Sequence, residues 1–135
     1  MPRPNILPIR RMEDLHTNLI GLSSEGQFMI IDYYGCDESD LYVVRYIFRT
    51  SGEFINAKHA KLSSNTSEDE IQVEKDAFLR ELEPYQLGDI RVHPFEASID
   101  GITFGLLYSE EAQSVNLEPG PLITFTAPWD GEYFT

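Results

Sequence analysis

Phe95-Glu-Ala-Ser-Ile-Asp-Gly-Ile-Thr-Phe-Gly-Leu-Leu-Tyr108 decides how this chain is read. Asp100-Gly101 at its centre is a two-residue hairpin signal, because a type I′ turn needs positive φ at both positions and Asp-Gly accepts it. Folding the stretch on that turn sets Ile99 opposite Ile102, Ala97 opposite Phe104, Phe95 opposite Leu106 and His93 opposite Tyr108. These residues form one almost wholly apolar face. Glu96, Ser98, Thr103 and Gly105 fall on the other. Such alternation belongs to a half-buried antiparallel sheet.

Working outward, Ile90 to Ile99 and Ile102 to Tyr108 read as the two strands of that hairpin. Val115 to Glu118 and Leu122 to Ala127 follow as further strands. Upstream, Gln27 to Tyr34 carries the apolar run Phe28-Met-Ile-Ile31, and Leu41 to Thr50 is rich in β-branched and aromatic residues. Ser51-Gly52 turns the chain back into Glu53 to Leu62. Gly35 to Asp40, with Cys36 among acidic neighbours, reads as a loop. A reactive thiol there would need nearby positive charge.

Helical signals cluster at 67–82. Ser67 and Glu70 form a capping box, and Glu68, Asp69 and Glu70 suit the positive end of a helix dipole. Ile71, Phe78 and Leu82 share one face, and Pro84 follows the end. Met12 to Leu22 shows weaker helical spacing. The first eleven residues, with three prolines and three arginines, read as an extended arm. The expected fold is α+β: antiparallel sheet built from hairpins, one main helix on a face, and a single domain over 1–135.

The chain has 135 residues, 23 acidic against 10 basic, and a net charge of −13. That charge repels nucleic acid, whose phosphates require clustered cations, and it equally disfavours anionic membranes. It favours encounter with a basic protein. No run reaches the ~18 apolar residues of a membrane helix. With a single cysteine and no signal-peptide pattern, the expected location is the cytoplasm.

Nothing in the sequence matches a phosphate loop, a dinucleotide fingerprint, a nucleophile elbow or a zinc-protease helix. The histidines, His16, His59 and His93, stand too far apart for a metal-site spacing. No metal or cofactor is expected. Asp32, beside Tyr33 and Tyr34, and the His93–Tyr108 pair are the candidate acid–base groups. Four of the ten basic residues, Arg45, Arg49, Lys58 and Lys61, lie on the first hairpin. There Arg45 faces Lys58 across the strands, with Arg49 along the same face. Like charges so placed require an anion or a carboxylate between them. The expected filler is a carboxylate of this same protein, with an anion or acidic-peptide site as the other reading. Trp129, Asp130, Tyr133 and Phe134 combine aromatic and acidic groups near a turn. They read either as a seal on the core or as a contact hot spot.

Two resemblances complete the sequence reading. Leu117-Glu-Pro-Gly-Pro-Leu-Ile-Thr-Phe125 with Pro128 resembles a Pro-Gly turn and strand of the cupin barrels, which implies a small β-barrel as the alternative fold. The cupin histidine ligands have no counterpart here. In composition the chain also resembles the immunity proteins paired with bacterial toxins. The leading expectation is therefore a non-enzymatic binding protein, an inhibitor or immunity-type partner of a basic protein. A small enzyme or ligand binder with a pocket between sheet and helix is the alternative, and a homodimer formed through strand edges is a further one.

Overall fold

A computed structural model describes residues 4–13, 16–37, 40–120, 123–126, 129 and 133–134, with the side chains of 34–37 and 133–134 outside the description. In chain order the elements are β1 (Leu7–Ile9), β2 (Ile20–Ser23), β3 (Gly26–Asp37), β4 (Asp40–Phe48) and β5 (Phe54–Ser63). Then come α1 (Glu68–Glu81), β6 (Tyr85–Leu87), β7 (Ile90–Val92), β8 (Phe95–Ile99) and β9 (Ile102–Ser109). β10 (Ser114–Glu118), β11 (Ile123–Thr126) and β12 (Tyr133–Phe134) complete the set.

The fold is α+β, and its described antiparallel strands are divided among two five-stranded sheets and a two-stranded ribbon. Among the described residues one sheet runs β5-β4-β3-β2-β6, a second runs β12-β11-β10-β9-β8, and β1 pairs with β7 as a ribbon. The Asp100-Gly101 hairpin forms as expected, with φ of 53° and 78° at the turn. Ile99, Ala97 and Phe95 oppose Ile102, Phe104 and Leu106. Among the described residues no closed barrel is formed. The cupin-like alternative is corrected accordingly: the Leu117–Phe125 stretch pairs Leu117 with Ile123 in an open sheet.

The molecule has three layers because β3 and β4 are apolar on both faces. Met29, Ile31, Tyr33, Tyr42, Val44, Tyr46 and Phe48 meet Phe95, Phe104, Leu106, Val115, Leu117 and Phe125 of the second sheet. Leu7, Ile9, Ile90 and Val92 of the ribbon join this core. On the other face Phe28, Ile30, Leu41, Val43 and Ile47 pack under Ile71, Phe78, Leu79 and Leu82 of the helix region. α1 starts as its sequence dictates: the Ser67 hydroxyl accepts from the Glu70 amide and donates to the Glu70 carboxylate, both at 3.2 Å.

Several local expectations are corrected. Residues 16–19 form turns and Ile20–Ser23 is strand β2, so no helix spans 12–22. There, pairing with β3 on one side and β6 on the other overrides a weak helical spacing. Ile90 to Ile99 is two strands, broken at His93-Pro94, because proline has no N–H to give the ladder. Gly35 to Asp37 belong to β3, and 38–39 lie outside the described residues. The N-terminal arm is extended and docked: Leu7 and Ile9 are buried in the ribbon with β7.

Candidate functional site

On the helix side of the first sheet, the cross-strand pair Arg45–Lys58 forms as expected. The group between the two cations is Glu81, on the last turn of α1. Arg45 Nη1 donates to Glu81 Oε2 at 3.2 Å, and Nη2 donates to Asn56 Oδ1 at 3.4 Å. Lys58 Nζ reaches both Glu81 oxygens, at 3.0 and 2.9 Å. Arg45 is buried, and its Nε has no hydrogen-bond partner among the described residues. Arg49 does not join this group. A bulge between Ile47 and Phe48 sets Phe54 opposite Phe48, and Arg49 follows in the exposed turn.

Asp32 lies on the same helix-facing surface, paired with Lys75 Nζ at 2.6 Å, and both side chains are under one-fifth exposed (18% and 14%). Sequence reasoning missed Lys75. The signal was present, since Lys75 interrupts the helical stripe Ile71, Phe78, Leu82 at an inward position. A cation in an apolar stripe calls for a carboxylate beneath it.

The β8–β9 register ends at Phe95–Leu106, so His93 is not the strand partner of Tyr108. His93 leaves the hairpin at Pro94 and turns to the β4–β5 connection. Its amide donates to the Gly52 carbonyl at 2.9 Å, while Nε2 lies 3.3 Å from the Ser51 carbonyl and 3.9 Å from Glu53. The Glu53 carboxyl is held below its ordinary value of 4.5, first by the Ser51 hydroxyl and its own backbone amide. Desolvation opposes this, and the electrostatic influence of His93 and then Arg49 lowers it further.

Tyr108 instead meets Trp129 edge-on, with ring centroids 6.4 Å apart. Trp129 adopts a positive φ of 64°, its amide donates to the Thr126 carbonyl at 3.1 Å, and its ring packs against the inter-sheet core. Its Nε1 is buried without a hydrogen-bond partner among the described residues. Asp130 lies outside the described residues. Tyr133 and Phe134 pair through their backbones with Phe125 and Thr124.

A polar cluster that the sequence did not signal forms where the hairpin tip meets the first sheet. The Tyr42 hydroxyl donates to Asp100 Oδ2 at 2.8 Å. Lys61 Nζ lies 3.4 Å from Asp40 and 3.9 Å from Asp100. The exposed His59 ring stands 5.9 Å from that of Tyr42. These contacts latch the second sheet to the first. Tyr42 and Asp100 are 58 residues apart, beyond any local pattern.

No protein-family model, curated protein or solved structure matches the chain. Its own surface must supply the functional reading.

That surface is most distinctive on the outer face of α1. Between residues 67 and 83 stand seven acidic residues, Glu68, Asp69, Glu70, Glu74, Asp76, Glu81 and Glu83, against Lys75 and Arg80. Lys75 is turned inward to Asp32. Val73 is 60% exposed. Its neighbours three and four positions away include the exposed Asp69, Glu70 and Asp76. An apolar spot is thus ringed by carboxylates. Among the described residues no three His, Cys, Asp or Glu side chains group so as to hold a metal ion, and no helix is long and apolar enough to cross a membrane.

Proposed function

We propose that the protein is a non-catalytic binding protein that docks a basic protein partner on the outer face of α1, in the manner of an inhibitor or immunity-type protein. One observation carries this reading: the exposed Val73 is surrounded by outward carboxylates, while Lys75, the cation nearest them in sequence, is turned in to Asp32. Glu81, which neutralises Arg45 and Lys58, keeps those cations on the inner side of the same helix. The arrangement provides what electrostatically steered recognition requires, a predominantly negative field around an apolar contact, with Arg80 the one exposed cation of α1. The net charge of −13 extends that field over the molecule. The candidate acid–base residues are dispersed: Asp32 is paired with Lys75, His93 lies at the Ser51 turn and Tyr108 packs at Trp129. The space between the first sheet and α1 is filled by apolar side chains.

The test is a low-salt affinity capture with the native chain beside the double variant Asp69→Lys/Asp76→Lys. A basic partner should be recovered by the native chain, with an association rate that falls about tenfold or more as salt rises. The double variant should lose that partner while keeping its native circular dichroism, with only a small drop in melting temperature from the charge reversal in the first turn of α1. Recovery of no salt-sensitive partner, or equal binding by the variant, overturns the reading.

A further inference from the structure

Arg49 is the cation of the first hairpin that neither α1 nor the Asp40–Asp100 cluster uses. Its backbone carbonyl is held by Gln27, but among the described residues its exposed guanidinium makes no ion pair within contact distance. It lines a recess of about 400 Å³ between the β2–β3 turn and the β4–β5 turn, together with Glu25, Ser24, Thr50 and Ile55. Gly26 also lines it. A Cβ at Gly26 would meet the Phe48 carbonyl at 2.3 Å, and its φ of 126° suits glycine alone, so this part of the wall stays bare.

The charges in this recess are of both signs and do not satisfy each other. Glu25 is exposed, and no hydrogen bond or ion pair of its carboxylate is present among the described residues; only its amide is engaged, by the Ser23 hydroxyl at 3.1 Å. Arg49 exerts a weak field on Glu53, which is already satisfied by Ser51. Ile55, 45% exposed, supplies an apolar wall. A simple anion would meet Arg49 but would be repelled by Glu25 and by a protein of net charge −13. A simple cation would meet Glu25 but be repelled by Arg49. A ligand with both charges close together and no net charge escapes both objections.

The geometry points to a binding site for a free α-amino acid in its zwitterionic form. Arg49 takes the carboxylate through its two-pronged fork, Glu25 takes the ammonium, and Ile55 packs against an aliphatic side chain. Both charged side chains are exposed, so they can close on the ligand without rearranging the core. No residue of α1 lines the recess, so the inference does not depend on the helix face.

The experiment is a titration of the ¹⁵N-labelled full chain with L-leucine, read by amide shifts. Saturable shifts confined to residues 23–26 and 49–55 are expected. Sodium acetate and ethylammonium chloride, each offering one of the two charges, should bind at least about tenfold more weakly than leucine, as should leucine itself to Arg49→Ala or Glu25→Gln. Because both side chains are exposed, each variant should keep the native spectrum elsewhere. Absence of saturable shifts with leucine, acetate binding as tightly as leucine, or inorganic phosphate binding more tightly would each overturn the inference, the last two in favour of a plain anion site.

Discussion

Strand β4 is buried on both faces, and the two faces follow different chemistry. Toward the second sheet it presents Tyr42, Val44, Tyr46 and Phe48, and the three rings meet Phe95 or Phe104 edge-on at 4.9 to 5.6 Å. Toward α1 it presents Leu41, Val43, Arg45 and Ile47, and the apolar patch there is flanked by Arg45–Glu81 and Asp32–Lys75. The first interface is nearly free of charge and large in area, so its strength comes from burial and packing. The second is smaller and fastened by ion pairs at its margin, so its strength depends on charge state and salt. One layer holds the fold; the other holds the helix in register, with its carboxylates facing outward.

The sharpest way to break this comparison is Phe104→Ala. Phe104 is fully buried and touches Tyr33 and Tyr42 edge-on. The loss should be about 3–5 kcal/mol in urea unfolding, and it should be the same at low and high salt. A loss that shrinks with salt would mean that charge, not packing, dominates the sandwich. A smaller effect is expected from Glu81→Gln, which leaves Arg45 and Lys58 facing each other. Its half-exposed position limits the cost to about 1–2 kcal/mol. That cost should fall as salt rises, and Arg45→Met in the same chain should restore most of it by removing the buried charge. Failure of the second change to compensate would show that Glu81 acts through something other than the cation pair.

The smallest effect belongs to Glu53, which is on neither face. Its folded carboxyl titrates below its ordinary value of 4.5, so its contribution is present above that value and is lost as pH falls through the lower folded value. The native chain and Glu53→Gln should therefore differ in melting temperature at neutral pH and converge in acid. A difference that persists at the lowest pH would assign the effect to packing.

Those parts of the fold that local rules govern were legible in the sequence. The Asp100-Gly101 turn set the register of β8 and β9 back to Phe95–Leu106, because turn geometry and alternation both demand it. The same extrapolation failed one residue further, where Pro94 ends the ladder and sends His93 to the Ser51 turn. The Arg45–Lys58 register was also legible, but the bulge beyond Ile47 was not. It brings Phe54 into stacking contact with Phe95, at 4.7 Å, and leaves Ile55 outside. Only the three-dimensional core rewards that choice. β1, β2, β6 and β7 are three or four residues long and owe their form to their partners. The outward carboxylates of α1 were visible as a run of acids. That Lys75 turns away from them could be read from its place in the Ile71–Phe78–Leu82 stripe, but that Asp32 lies beneath it could not.

Gln27 gives the molecule a property that neither sheet has alone. Its buried side-chain amide donates to the carbonyls of Arg49 and Arg91 at 2.9 and 2.8 Å and accepts from the Arg91 amide at 2.8 Å. One residue thereby completes the backbone pairing of two segments that are not neighbours in any ladder. Detaching the β1–β7 ribbon would break two of these three bonds and leave the buried Gln27 Oε1 without its donor, a penalty out of proportion to so short a pairing. The ribbon should therefore open only together with the strands it caps, and the N-terminal segment is bound into the cooperative unit of the fold.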